Sequence, residues 1–545
     1  MNNIKHFCKK LRFLFTISHQ LIFNSFQKFF IIDFPVDHNL LKKKNIIKFY
    51  KHNYRYIVNT EKKKYNYSNF LKLNLLKDFI TENVTFLISK IHYETKKYKI
   101  NARSITFISI VSNTINKVLI KLNNKDLVFQ LDTEEIYNLK LEKNDQMIIE
   151  SQNKIFLTPE LSNFKNKNSS IKLNLVLFID GLISKIISNP KVFKDIMPFT
   201  SNFFRDGLNF TNHYSNGEWS LPSAANLFTG CHVEKHKLFH NKKYSQINSE
   251  LKTFAEFFSE NNFYSFMING SWRMAPTYGF CKGFDKTLYK KEMNAGEVIN
   301  HFLDIDMNIK NAKKFYWLTF FDLHGSGYNN NFGDNIINKI LFQQDGQKSV
   351  YFKKNLYLQK RYFENCKILD QKLKILFDYI ISNYNKNEIL ISLSTDHGQS
   401  FFDNDLNPLR DYRVKIPWLL KGKNINKKIY TGITENVDLL PTFLNINKIK
   451  FNEKIFNGTL PSCLKGKMKK YAKCQSLFPG QTYKMRIDTN NNTFFLETVE
   501  KVSNDCKIKN FDFKKIITIH KNNKNDVEKK EITKIFLKSC KEIFS

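Results

Sequence analysis

LNLVLFIDG (Leu173–Gly181) decides the fold. A nearly continuous apolar run that stops abruptly at Asp-Gly is the pattern of a strand buried on both faces, as in a parallel sheet covered by helices. Similar runs recur at Tyr264–Ile268, Phe315–Phe321 and Ile389–Leu393, with helical patterns between them at Leu251–Glu260 and Tyr357–Asn383. Strands alternating with helices predict an α/β protein, a three-layer α/β/α sandwich around a mostly parallel central sheet.

Outward from that stretch the grammar changes. Asn163–Ser170 (NFKNKNSS) reads as a polar linker. Between residues 76 and 165 short alternating or β-branched runs recur (VTFLISKIHY, SITFISIVS, KVLIKL, LVFQLD, MIIESQ, KIFLTP). Polar turns at Asn123-Asn124 and Glu142–Asp145 separate some of them, which predicts a small antiparallel β-rich domain. Residues 1–75 are basic and aromatic without a motif and are expected to be helices joined by loops. Residues 170–500 are expected to form the α/β catalytic domain, and 501–545 a peripheral lysine-rich tail with a short helix.

Composition narrows the function classes. With 545 residues, 42% hydrophobic and 15% aromatic, the chain supports more than one core, and wholesale disorder is excluded. Its 86 Lys and Arg against 50 Asp and Glu give a formal charge of +36. The lysines are spread along the whole chain with no aromatic-basic signature, so nucleic acid is not the expected partner. The charge still favours anionic substrates and acidic membrane surfaces. None of the eight cysteines forms a C-x-x-C pair, which leaves a zinc ribbon unsupported and fits a reducing compartment.

Leu11–Val36 is apolar-rich, but His19, Gln20, Asn24, Gln27, Lys28 and Asp33 interrupt it too often for a spanning helix. An amphipathic helix packed on the protein is expected there, with contact to a membrane surface as the alternative. No compact apolar run with a small-residue cleavage site follows, so the expected location is cytoplasmic, or peripheral on a membrane.

In a parallel sheet, functional side chains gather beyond the carboxyl ends of the strands. Those positions hold Asp180-Gly181, Asp322-Leu323-His324-Gly325 and Thr395-Asp396-His397-Gly398. Asp and His at such places suit a divalent cation: zinc, manganese, calcium or magnesium. One Asp-Gly alone is usually a turn; it is the combination that carries the reading. NGEWSLPSAANLFTG (Asn216–Gly230) adds a serine. Pro222 fits a helix's first turn and Leu221, before it, is expected outside the helix. Ser220 then sits just ahead of a helix N-terminus, where anions are favoured. A cation beside it would lower its hydroxyl pKa and make it nucleophilic. In the blander alternative, Ser220 or Ser223 caps the helix.

The ordered set of motifs from Leu175 to Lys454 resembles the sulfatase-like family of the alkaline phosphatase superfamily. LVLFIDGL resembles its first metal-binding strand, and EWSLPSAANLFTG its nucleophile segment, C/S/T-x-P-S-x-x-x-x-x-T-G. NFYSFMINGS with Gly283-Phe284-Asp285 resembles the next strand and its GFD signature. FFDLHGSGY resembles the strand ending in a substrate-contacting histidine, LSTDHGQSF the second metal-binding strand, and KIPWLLKG and VDLLPTFL the closing strand and helix.

The resemblance implies metal ligation by Asp180, Asp396, His397 and Ser220, with Ser220 as nucleophile. His324 would bind the ester oxygen or help the leaving group. His236, Arg410 and Arg413 are its candidates for substrate contact. It implies a divalent metal ion and attack on a phosphate or sulfate ester through a covalent intermediate, resolved by water or an acceptor alcohol. Two departures matter. Sulfatases whose Cys or Ser is oxidised to formylglycine carry Arg four residues on, where this chain has Ala224. Their Asp pair at the first strand is here Asp180-Gly181, which implies one metal ion rather than two, or a weaker site. The expected activity is therefore a phosphoester hydrolase or phospho-group transferase. Its substrate would be an anionic ester such as a phosphorylated glycan or lipid-linked sugar of surface polysaccharide. A sulfatase with modified Ser220, and a non-catalytic glycan- or partner-binding scaffold, are the alternatives.

Overall fold

Every residue of Leu173–Ile179 is buried, and the strand feeds two cores at once. Val176 and Phe178 join Phe228, Phe254 and Trp317 in one apolar cluster. Leu175, Leu177 and Ile179 join Phe302, Leu373 and Phe377 in another. This is why the run shows no alternation: both faces of the strand are interior.

The computed structural model describes residues 93–162, 171–239, 247–324, 353–508 and 526–544, apart from short gaps at 113–114, 132–135, 159, 276–277, 291–292, 478–479 and 504–506. It also describes the strands Ile46–Phe49, Arg55–Val58, Thr85–Ser89 and Lys515–Ile519.

Among the described residues the central sheet has ten strands. Its parallel heart runs Ile389–Ser394, Leu173–Ile179, Lys314–Phe320, Tyr264–Asn269, Lys286–Lys290. Lys415–Gly422 joins Ile389–Ser394 antiparallel and continues to Leu208–Tyr214. One face is covered by the helices Ser220–Thr229, Phe254–Glu260 and Leu439–Ile446. The other carries Ser184–Ser188, Pro190–Ile196, Pro198–Phe203, Ala295–Asn308 and Leu356–Asn383. The result is the expected three-layer α/β/α sandwich. The helix expected from Leu251 begins at Phe254, because Thr253 accepts from the Glu256 N–H while the Glu256 carboxylate takes the Thr253 N–H.

Seven strands between Tyr93 and Ser162 form the separate β-rich sheet. Asn123 and Asn124 turn its hairpin Asn116–Leu122/Lys125–Leu131 at φ 48° and 68°, the left-handed conformation that asparagine tolerates. Two particulars differ from the sequence reading. MIIESQ and KIFLTP are one long strand, Gln146–Leu157. Thr85–Ser89 leaves this sheet altogether and pairs antiparallel with Lys286–Lys290, covering an edge of the central sheet.

The ends of the chain also depart from expectation. In residues 1–75, expected to be helical, those described are two strands, Ile46–Phe49 and Arg55–Val58, paired antiparallel. The apolar stretch 11–36 and the linker 163–170 lie outside the described residues. The C-terminal tail is not peripheral. Tyr471–Ser476, Thr482–Thr489, Thr493–Lys501 and Lys515–Ile519 form an antiparallel sheet, and the helix Asp526–Phe544 packs on it. Ile532, Phe536, Cys540 and Ile543 are buried against Tyr483, Met485 and Ile487, while Lys530, Lys534, Lys538 and Lys541 are exposed. The lysines mark the wet face of an amphipathic helix. Among the described residues no helix is long and apolar enough to cross a membrane, and six cysteines form no disulfide.

Phe536 stacks on Tyr483 with ring centroids 5.4 Å apart and is fully buried. Phe536→Ala is expected to lower stability to urea unfolding by about 3–5 kcal/mol. A change within experimental error would mean that the helix rests loosely on the sheet.

Candidate functional site

Register brings the first two acidic groups together. Phe178 pairs with Ser394 in the parallel ladder, so two residues on, Asp180 and Asp396 leave adjacent strands side by side, about 4.8 Å apart in strand spacing. Gly181 makes the turn at φ 77°, and a Cβ there would meet the Gln399 side-chain nitrogen at 2.2 Å. Its N–H donates to Thr395 Oγ1 and Asp396 Oδ1, both at 3.1 Å.

Ser220 arrives from a third segment as the first residue of the helix Ser220–Thr229. Pro222 falls inside the first turn, and so does Leu221, which was expected outside it; the proline's missing N–H is among those a helix start leaves unbonded anyway. Neither serine caps. The Ser220 hydroxyl donates to Asp180 Oδ2 at 3.3 Å and lies 3.3 Å from His397 Nε2. Ser223 donates to the Asp396 carbonyl at 2.7 Å.

Ligand atoms of Asp180, Asp396 and His397 all lie within 4.8 Å of one another, and the three residues and Ser220 are buried. His397 Nδ1 is 2.8 Å from the Gly398 carbonyl, which can only accept. The proton therefore sits on Nδ1, and Nε2 presents a lone pair. Asp396 Oδ2 lies 3.3 Å from that nitrogen, and among the described residues neither it nor Asp180 Oδ1 has a hydrogen-bond partner. Buried acceptors facing one another without a donor fit a divalent cation held by oxygen and imidazole nitrogen.

Electrostatics agree. Burial and the neighbouring Asp396 charge hold the Asp180 carboxyl well above its ordinary range, partly relieved by the Ser220 hydroxyl. Burial would also raise Asp396, but His397 and the N–H groups of His397 and Gly181 bring it below its ordinary value. Burial pushes His397 down to about 4 against the pull of Asp396, so its imidazole is neutral at neutral pH.

The other residues expected from sequence divide. His324 ends the turn after Lys314–Phe320, stacked on Phe321 at 4.2 Å. Burial, then the His397 charge, lowers it to about 3, and Asp396, Arg273 and Arg413 also act on it. His236 is not brought to the cluster. Its Nδ1 accepts from the Leu238 N–H at 3.0 Å and its Nε2 meets Asn226 Oδ1 at 3.3 Å, so both nitrogens serve to hold the chain after the serine helix. Arg410 is equally committed, to the carbonyls of Asn407 and Ser400 at 2.9 and 3.1 Å and to Asp403 at 3.3 Å. Arg413 reaches the cluster's edge, donating to the carbonyls of Glu218 and Gly398.

Two neighbours had no signal in the sequence. Arg273 follows the strand Tyr264–Asn269, its guanidinium 5.0 Å from the Trp219 ring centroid and within the field of Asp180. Burial lowers it to about 10, still a cation at neutral pH. Glu218 is buried, accepts from Ser476 at 2.8 Å and is raised to about 7 by burial. Each needs a distant partner to be noticed.

The family model described as Sulfatase matches residues 176–448. No curated protein matches the chain. Among solved structures, a putative sulfatase from Bacteroides thetaiotaomicron is similar at 12% identity and TM-score 0.51, over 68% of this chain and 93% of that one. A phosphonate monoester hydrolase from Silicibacter pomeroyi is 10% identical at TM-score 0.49, over 67% and 94%. A protein in the alkaline phosphatase superfamily from Vibrio parahaemolyticus is 16% identical at TM-score 0.46, over 70% and 90%. At these identities the likeness is one of fold.

A group whose folded pKa is raised stabilises the fold at low pH and costs stability as pH rises. In excess chelator, Asp180→Asn is therefore expected to melt higher than the parent at neutral pH, with the gap closing as pH falls into the ordinary carboxylate range. In added divalent cation the order should reverse. Thermal melts in both conditions check this, and a variant less stable than the parent in chelator would contradict it.

Proposed function

The chain belongs to the sulfatase family, and from that premise we propose that it is a metal-dependent hydrolase or transferase of phosphate esters with Ser220 as nucleophile. One observation carries the reading: the Ser220 hydroxyl touches both Asp180 and His397, at 3.3 Å each, beside two carboxylate oxygens that lack a donor. Asp180, Asp396, His397 and Ser220 would hold a single divalent cation, which supplies positive charge against the serine oxygen and the oxygens of the ester.

The chain's own residues account for the rest. The helix Ser220–Thr229 starts at the nucleophile, so its N-terminal field lowers the cost of an anionic serine oxygen. Attack by that oxygen forms a phosphoserine while the bond to the leaving alcohol breaks; water or an acceptor alcohol then releases the phospho group. Neutral His324 serves as a hydrogen-bond donor to an ester oxygen rather than as a proton store. Arg273 offers a guanidinium to the anion's remaining oxygens.

Asp180 and Asp396 would offset a divalent cation, and the buried guanidinium groups of Arg273 and Arg413 add positive charge around them, which suits an anionic ester. The proposed ester is a phosphodiester, such as one linking a phospho group to a glycan or a lipid-linked sugar of surface polysaccharide. A sulfate ester carries the same charge and is the second reading, favoured by the family match. Against it stands Ala224, four residues after Ser220, where the formylglycine motif carries arginine.

Ser220→Ala is expected to reduce turnover of an activated aryl phosphodiester by roughly 10³-fold or more while the melting temperature holds. Undiminished turnover would refute the nucleophile. Intact-mass analysis of the peptide holding Ser220 separates the two ester classes: an unmodified serine is expected, and the mass loss of oxidation to an aldehyde would establish the sulfatase reading instead.

A further inference from the structure

Arg413 sits where the chain that carries the nucleophile meets the chain that carries Asp396 and His397. It is the third residue of the short helix Asp411–Val414 and is buried. Its Nη2 donates to the Glu218 carbonyl, two residues before Ser220, and its Nη1 to the Gly398 carbonyl, one residue after His397, at 3.4 Å. The backbone repeats the connection. The Gly398 N–H donates to the Arg413 carbonyl at 2.9 Å, and the Ser215 N–H to the Val414 carbonyl at 2.8 Å. The approach is so close that a Cβ at Gly398 would lie 2.0 Å from the Tyr412 carbonyl oxygen.

A guanidinium whose donors reach two backbone carbonyls on two different loops acts as a spacer of fixed length. Lysine, with one nitrogen on a flexible stem, lacks the planar fork that serves both at once. Uncharged ties run in parallel. The Ser215 and Ser223 hydroxyls donate to the Asp396 carbonyl, and the Asn436 amide donates to Ser223 Oγ and the Thr395 carbonyl at 3.2 and 3.1 Å. Arg413 is the cationic member of this set, held near Asp396 and Glu218.

We propose that Arg413 is a positioning residue which, by bonding the Glu218 and Gly398 carbonyls together, sets the separation between the Ser220 oxygen and the His397 imidazole. It acts through the backbone of both loops rather than on the substrate. The inference rests on the reading of Ser220 as nucleophile, and a displacement of the order of 1 Å at such a place costs about a hundredfold in rate.

The test compares Arg413→Lys and Arg413→Met with the parent, on an aryl phosphodiester and with inorganic phosphate as competing anion. Both variants are expected to lose about a hundredfold in kcat, with KM, the inhibition constant of phosphate and the bound-metal stoichiometry each within about threefold. Added guanidinium ion should partly restore kcat in Arg413→Met. Phosphate inhibition weakened in step with kcat would make Arg413 a substrate contact and overturn the proposal; unchanged kcat would overturn it too. Should neither variant fold, Ser223→Ala removes one uncharged tie without leaving a buried charge. The same kcat loss on a smaller scale supports the proposal, and an unaltered kcat ends it. Ser220→Ala is run alongside: activity surviving there defeats the nucleophile itself, whatever Arg413 does.

Discussion

Two carboxylates from adjacent parallel strands meet where both are fully buried, and the architecture around them answers that problem. At 4.8 Å or less between ligand atoms and an effective dielectric constant of about 20, two negative charges repel by at least roughly 3 kcal/mol. Among the described residues nothing donates to the two inward oxygens. The strain appears as opposite displacements of the pair, Asp180 pushed up and Asp396 brought down. Such an arrangement persists only where the surrounding fold is stable enough to enforce it. Here the enforcement is a strand buried at every position, with one apolar core on each side.

How much of this the sequence disclosed follows from what kind of constraint each feature obeys. Leu173–Ile179 and Ile389–Ser394 were legible because burial on both faces forces an apolar run, and a run is local. Asp180, Asp396 and His397 were legible because a parallel sheet gathers function at one end of its strands, so position after a run is informative. Ser220 was legible through Pro222 and the motif around it. Arg273, Glu218 and the double bond of Arg413 were not, since each acts through partners far away in sequence. Arginine in a loop reads as solvated charge until its partners are known.

The misread segments obey the same logic. Thr85–Ser89 has the composition of any strand; only register shows that it pairs with Lys286–Lys290 rather than with the sheet next to it in sequence. The C-terminal lysines drew attention to the exposed face of Asp526–Phe544 and away from Phe536 and Cys540, spaced four apart and buried. His236 and Arg410 resemble ligands by residue type, yet all the bonds described for them go to the protein itself.

Ser220 is held from two sides, and the family match covers only one of them. On the side of Asp396 and His397 stand Arg413, Ser215, Ser223 and Asn436. On the other, the strand Tyr471–Ser476 lies against the segment that leads to Ser220. Gly217 bridges Gln475 as in a parallel ladder, and the Gln475 N–H donates to the Asn216 carbonyl at 3.1 Å. The Asn216 amide reaches the Lys473 carbonyl at 2.9 Å, and Ser476 donates to Glu218 at 2.8 Å. The matched region ends at residue 448, so this second clamp comes wholly from beyond it. That strand is in turn fixed by the C-terminal helix, whose Ser539 shares Glu234 with Lys473 and Gln475. A buried hydrogen-bond chain of this kind transmits displacement, because each member has few alternative partners. The last helix of the chain is thereby tied to the position of the serine oxygen, although none of its residues stands in the cluster.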